Sequence, residues 1–337
     1  MRAVVKESPG AGFTLREVAT PHPGHHRVLV QVKAVGICGS DMPVFNGTRQ
    51  VPLPRIPGHE FAGVIAEVGP RVTKWAVGDR VCAGLVIGCG DCYLCRAGEE
   101  SLCPNLTNIG FQVDGAFAEY VVVPVRNLHR LPASVSFEQG SQVDPVATPW
   151  RAARRLFINS NDTVLIFGPG PVGLYMLQVA KAQGARFVMV VGRSERRLSL
   201  AKQLGADAVI DSSAEDVVER VAHYTDGRLA SVVVEAAGSR DTVPLLVECA
   251  AKMGRIAILG IVFQPASLSV EKVLRKEVSM TGFICYNWSD YEGALGLIDS
   301  GKVVVEPLIT HRLPLAEMGR ALELIRSREA VKVILTP

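Results

Sequence analysis

Little in this chain of 337 residues is extreme. Aromatic residues make up 6%, charged residues 20%, and the formal net charge is only +3. So weak a positive balance gives no ground for a nucleic-acid or membrane-surface partner. No run of about eighteen apolar residues is present to span a bilayer. The opening MRAVVKESPG lacks the apolar stretch and cleavage site of a secretory signal, so a cytoplasmic location is expected. Internal repeats and low-complexity segments are absent as well. What the chain does have is apolar material, 48% hydrophobic residues, with 32 glycines and 20 prolines to turn it. This length exceeds one ordinary core, so two domains are expected.

The first 146 residues hold short β-branched runs between turn residues: VLVQVK from Val28, GVIAEVG from Gly63, YVVVP from Tyr120. Such runs read as strands, and helical periodicity is nearly missing there, so this half reads as barrel-like. From Thr163 the pattern changes to apolar strands alternating with helical stretches. Strands are expected at Thr163–Gly168, Phe187–Val191, Ala208–Ile210, Ser231–Glu235 and Arg255–Leu259. Helices are expected at Val172–Gln183, Glu195–Leu204, Ala214–His223 and Thr242–Ala250, with a last strand near Glu277–Phe283. That alternation indicates an α/β region with a doubly wound parallel sheet covered on both faces. The tail shows a helix over Leu315–Arg326 and a closing strand over Val331–Leu335.

Four of the eight cysteines, Cys89, Cys92, Cys95 and Cys103, crowd onto one Gly-rich stretch as C-x2-C-x2-C-x7-C. In a chain with no export signal this spacing suggests metal rather than disulfides. Four thiolates close a tetrahedral shell around a structural zinc and leave no open position. An iron–sulfur cluster is the rival reading.

Gly168, Gly170 and Gly173 form G-x-G-x-x-G between an apolar strand and a helix, with Pro171 and Val172 in the first turn. There the backbone can approach a pyrophosphate, and free N–H groups at the helix start favour its charge. At the end of the next strand an NAD-binding protein usually places an acid for the ribose 2′-hydroxyl. Here the residues are Gly192, Arg193 and Ser194, followed by Arg196 and Arg197. Gly192 removes the acid, and the Arg193 fork, the Ser194 hydroxyl and Arg197 suit a 2′-phosphate. The expectation is NADP(H) in preference to NAD(H); the alternative is that these arginines point to solvent.

Two further signatures mean little singly: Cys38-Gly-Ser-Asp after a strand, and Gly58-His-Glu after a Pro-rich loop. Together with the cysteine lobe, VGDRV, DGAFAEY, GPGPVG and the closing KVILTP, the chain resembles the zinc-dependent medium-chain alcohol and polyol dehydrogenases almost end to end. That resemblance implies a GroES-like catalytic domain, 1–147 and 287–337, with a Rossmann domain, 148–286, inserted in it. It implies a catalytic zinc beside the structural one, with Cys38 and His59 as ligands. Glu60 lies beside or on that metal, and Asp144 stands where relatives carry a glutamate one carbon longer. Three protein ligands and an open position let zinc act as a Lewis acid. Ser40 is then the hydroxyl that relays the substrate proton, or else a helix-cap serine. Relatives often have a histidine where this chain has Pro43, which carries no proton. Lys332 matches a basic tail position that reaches a cofactor phosphate, with a solvated lysine as the alternative. Phe45, Phe111, Tyr286 and Trp288 fall where relatives line the substrate pocket, each equally open to a packing role.

The stretch from Gly110 to Val146 resembles enzymes acting on polyols, sugars and aminocyclitols, 2-deoxy-scyllo-inosamine dehydrogenases among them. A small hydroxylated substrate is therefore expected, and a homodimer or homotetramer. A dehydrogenase of simple secondary alcohols, or a non-catalytic zinc-stabilised NADPH-binding protein, are the rival readings.

Overall fold

The computed structural model describes residues 1–337. The chain forms two compact units: Met1–Ala147 with Cys285–Ser300 and Val305–Pro337, and Thr148–Ile284 with Gly301–Val304. The return to the first unit comes at Cys285 rather than at residue 287, and the four residues Gly301–Val304 go back to the second.

The first unit is organised by the strand Arg27–Gly36, whose alternate buried residues, Val28, Val30 and Val32, face one core. It pairs antiparallel with Glu60–Val68, Tyr120–Pro124 and the terminal strand Lys332–Thr336. The seven-stranded sheet is completed by Arg80–Ala83, Leu128–Arg130 and Ile309–Pro314. Two registers decide where chemistry goes. Gly36 lies opposite Glu60, and Ile334 lies opposite Gly36. Stepping outward along antiparallel strands, Cys38, His59 and Lys332 all emerge at one sheet end. Residues 333–335 of the terminal strand are buried, so the alternation rule of a half-exposed strand does not apply to it.

The helix Val143–Arg155, with Pro149 inside it, has no counterpart in the sequence expectation, and it carries Asp144 in its first turn. The helix Trp288–Asp299 was likewise not legible. It opens on a reciprocal capping box between Asn287 and Asp290, which fixes the chain's re-entry into the first unit.

The second unit is a six-stranded parallel sheet in the order Ala208–Asp211, Phe187–Gly192, Thr163–Phe167, Ala230–Glu235, Ala250–Ile258, Ser279–Gly282. Its strand order is that of the doubly wound dinucleotide fold, with the switch point between Thr163–Phe167 and Ala230–Glu235. The central strands are apolar throughout because helices bury both faces; every residue of Thr163–Phe167 is buried. The strand expected at 255–259 starts at Ala250, and a short helix, Val270–Lys276, precedes the edge strand Ser279–Gly282.

Candidate active site

The register brings three donors together. A Cys38 sulfur, a His59 ring nitrogen and a Glu60 carboxylate oxygen lie within 4.8 Å of one another. His59 and Glu60 are buried and Cys38 is half-buried. Gly36 makes this possible: a Cβ there would stand 2.3 Å from the Glu60 carboxylate and 2.9 Å from the Gln142 amide. Asp41, wholly buried, accepts the Cys38 backbone N–H through Oδ2 at 2.9 Å. Its other oxygen faces His59 Nδ1 at 3.6 Å, too long for a hydrogen bond, and neither atom has another partner. With Nδ1 turned to Asp41, Nε2 is the nitrogen left for a cation, the arrangement in which a carboxylate orients a metal-bound imidazole. Sequence reading passed over Asp41; its place three residues after Cys38 was the available signal.

The charges of this cluster also call for a cation. Asp41, Glu60, Asp144 and the Cys38 thiol share this buried cluster with Lys332 and His59. Burial holds the Asp41 carboxyl above its ordinary range. Burial pushes Asp144 up to about 7, with Glu60 adding to it and His59 opposing. Burial disfavours a charged His59, yet Asp41, Cys38 and Asp144 outweigh that and raise it to about 10. A thiol, an imidazole and a carboxylate around one point suit zinc.

Lys332 corrects an expectation. It is 3% exposed, and its ammonium donates to the Ile37 carbonyl at 3.1 Å and to both Glu60 oxygens at 2.8 and 2.5 Å. With all three protons spent inside the first unit, it is neither a solvated lysine nor free to hold a cofactor phosphate. Burial works against the ammonium, but Glu60 more than compensates and raises its pKa. Removing one member of such a buried pair strands the other, at a cost of about 3–5 kcal/mol.

Asp144 does not belong to the close donor group. Its carboxylate accepts the Tyr286 hydroxyl, and that hydroxyl in turn accepts the Leu85 N–H at 3.1 Å. Ser40 stands at the N-cap of the helix Asp41–Phe45, but its side chain makes no capping bond. Of the aromatic candidates, Phe111 lies beside His59, ring centroids 5.2 Å apart, while Phe45 packs edge-on against Phe13. Trp288 stacks on His129 at 5.0 Å. A 420 Å³ cavity beside Trp288, Tyr286 and Cys95 is lined by none of Cys38, His59 or Glu60.

The second cysteine cluster is preassembled. Cys89, Cys92, Cys95 and Cys103 place their sulfurs within 4.8 Å of one another, with pairs at 4.0 and 3.8 Å. A tetrahedron of Zn–S bonds of about 2.3 Å has edges near ~3.8 Å, and these spacings are far too long for disulfides. Backbone N–H groups of Cys89, Cys92 and Cys95 point at sulfurs of Cys103, Cys89 and Cys92. The hairpin of Val86–Ile87 with Thr107–Asn108 closes the lobe.

In the second unit, Gly168 has φ +99° and Gly173 admits no Cβ, which would fall 1.9 Å from the Gly168 carbonyl. Gly170 caps a helix that starts at Pro171, leaving the first-turn N–H groups of Val172 and Gly173 at the loop. Gly192 has a steric cause of its own: a Cβ there would meet the Pro169 ring at 2.5 Å. The missing acid is therefore explained by loop packing, and the cofactor question rests on Arg193 and Ser194, both exposed, and the half-buried Arg197. Glu235, unnoticed in the sequence, is buried at the switch point and accepts the N–H groups of Ala237 and Gly238 and the Thr242 hydroxyl. It shapes the loop after its strand.

A family model described as alcohol dehydrogenase GroES-like domain matches residues 24–133, and one described as zinc-binding dehydrogenase matches residues 171–300. A sorbitol dehydrogenase of Halalkalibacterium halodurans is 38% identical, covering 100% of this chain and 99% of its own. An alcohol dehydrogenase of Escherichia coli complexed with NADH is 31% identical with a TM-score of 0.94, over 100% and 99% of the two chains. A zinc-binding dehydrogenase of Sinorhizobium meliloti bound to NADP is 33% identical, again with a TM-score of 0.94 and coverage of 100% and 99%.

Proposed function

Since the chain belongs to the zinc-dependent medium-chain dehydrogenase family and is an oxidoreductase, we propose that it transfers a hydride between NADP(H) and a secondary alcohol or ketone of a hydroxylated sugar, polyol or aminocyclitol. The observation that carries this reading is the register-built donor set of Cys38, His59 and Glu60, with Asp41 oriented on His59. Zinc held there supplies Lewis acidity to the reacting oxygen. The remaining work falls to the chain. Cys38, His59 and Glu60 hold the ion, and Asp41 fixes the ring of His59. Lys332 holds the Glu60 carboxylate in place, and Tyr286 does the same for Asp144. Ser40, its hydroxyl unspent on capping, takes and passes on the proton of the reacting hydroxyl. The lobe of Cys89, Cys92, Cys95 and Cys103 holds a second zinc that stabilises its own loop.

On the second unit, Gly168, Gly170, Pro171, Val172 and Gly173 receive the pyrophosphate, and Arg193, Ser194 and Arg197 receive the 2′-phosphate. Solved neighbours hold either NADH or NADP, so the choice rests on Arg193. Gly192→Asp is a poor test, because Pro169 leaves it no room. Arg193→Ala is the clean one. Wild type should show the higher kcat/KM with NADP, and Arg193→Ala should lower that value about 10- to 100-fold, leaving NAD within about twofold. Equal use of both cofactors by wild type would remove the claim.

A homodimer is also part of this reading. The edge strand Ser279–Gly282 is exposed at every residue, and Met280 and Ile284 present apolar side chains there. Such an edge is a template for pairing with a second copy.

A further inference from the structure

Arg49 lies close to the proposed metal ligands and has no part in the reaction proposed for them. Its guanidinium lies over the face of Phe111, 3.9 Å from the ring centroid. Phe111, 2% exposed, is itself packed beside His59 with centroids 5.2 Å apart. Two ring contacts thus connect the guanidinium to His59, the second tilted at 38°, and Arg49 is half-buried. Its backbone is tied to the segment that carries Ser40 and Asp41. The Arg49 N–H donates to the Pro43 carbonyl at 3.0 Å, and the Thr48 hydroxyl donates to the same carbonyl at 3.2 Å. Gly47, at φ +75° and with no space for a Cβ beside the Pro9 carbonyl, makes the tight return that this needs.

A guanidinium held over one ring still has N–H groups beyond it, a fork spaced for two oxygens of one anion. No carboxylate of the chain pairs with Arg49, in contrast to Arg55, which is 2.7 Å from Asp114 a few residues away. An arginine oriented on an aromatic ring and lacking an acid is a ready receptor for an oxyanion.

Resting on the dehydrogenase reading, we infer that Arg49 is a specificity-determining residue and that the substrate carries an oxyanion, a phosphate or a carboxylate, a few carbons from the reacting hydroxyl. The anion takes the in-plane N–H groups of Arg49 while the hydroxyl lies at the metal ligands, so the two ends fix which carbon reacts. A protonated amine in the same position would meet like charge, which turns the substrate class away from aminocyclitols.

The test pairs neutral and anionic alcohols on the zinc-loaded enzyme: D-sorbitol with D-sorbitol 6-phosphate, and 1,3-butanediol with 3-hydroxybutyrate. Wild type should use one anionic member with a kcat/KM about tenfold or more above its neutral partner. Arg49→Gln should reduce that anionic value about 10- to 100-fold, mainly through KM, with the neutral partner within about twofold. Arg49→Lys should restore part of the loss, since the charge remains and the fork does not. The phosphate and carboxylate arms tell the two sources apart. Neutral members preferred by wild type, or equal losses on neutral and anionic alcohols in Arg49→Gln, would overturn the inference while leaving the dehydrogenase intact. If none of the four is oxidised, the dehydrogenase reading is what suffers, and calorimetric titration with orthophosphate decides for Arg49. Binding should weaken about tenfold or more in Arg49→Gln, and unchanged binding would overturn the oxyanion site.

Discussion

Ser40 has the position of a helix cap and the bonding of something else. A serine N-cap contributes about 1 kcal/mol when its oxygen accepts a first-turn N–H, and Ser40 accepts none. Ser40→Ala should therefore leave the melting temperature nearly unchanged and lower kcat by about 10²-fold with little change in KM. Stopped-flow and steady-state kinetics check this; an unchanged rate with a lowered melting temperature would return Ser40 to a structural role. At this scale the sequence was most legible where a residue type has few uses. The four lobe cysteines stood out by their spacing, whereas Cys38 and His59 were singled out only through the family resemblance. Asp41 and Glu235 were not, and Tyr286 was named only as a pocket aromatic and not as the partner of Asp144, because a buried carboxylate or phenol announces itself only through its partners. Lys332 was misjudged for the same reason: its partner Glu60 is 272 residues away.

The proposed zinc site also makes a pH prediction. In the metal-free protein His59 keeps its proton up to about 10, and zinc must displace it, since only the neutral imidazole binds metal. Below that value the proton competes, so apparent affinity should rise with pH, about tenfold per unit for this one proton. Competition with a chelator at pH 6.5 and 8 measures it; equal affinities would show that His59 is not a ligand.

Among elements, strands of the second unit were read to within a few residues, because an apolar run covered on both faces has few alternatives. Helices that carry the site were harder. Val143–Arg155 contains Pro149, a residue that speaks against a helix interior, and tertiary packing overrides that preference. The lateral register that places Cys38, His59 and Lys332 together is set by long-range pairing and has no local signal. The exposed edge strand belongs to this scale too. Met280→Lys should protect the edge against self-pairing and shift the species seen by light scattering from dimer to monomer at micromolar concentration. A monomeric wild type, or a variant that remains dimeric, would place the interface elsewhere.

For the whole molecule, the two family domains and the division into two units follow from a long apolar chain with a change of periodicity near Thr163. No helix is long and apolar enough to cross a membrane. The proposed function implies a division of labour, with zinc and substrate on the first unit and the dinucleotide on the second. Chelation of the catalytic zinc tests that division most directly. Reduction of NADP by a hydroxylated alcohol, followed at the nicotinamide absorbance, should fall to background when zinc is withdrawn. It should return when zinc is restored, with the dissociation constant for NADPH unchanged throughout. Turnover that persists in the zinc-stripped protein would show that hydride transfer here does not depend on zinc.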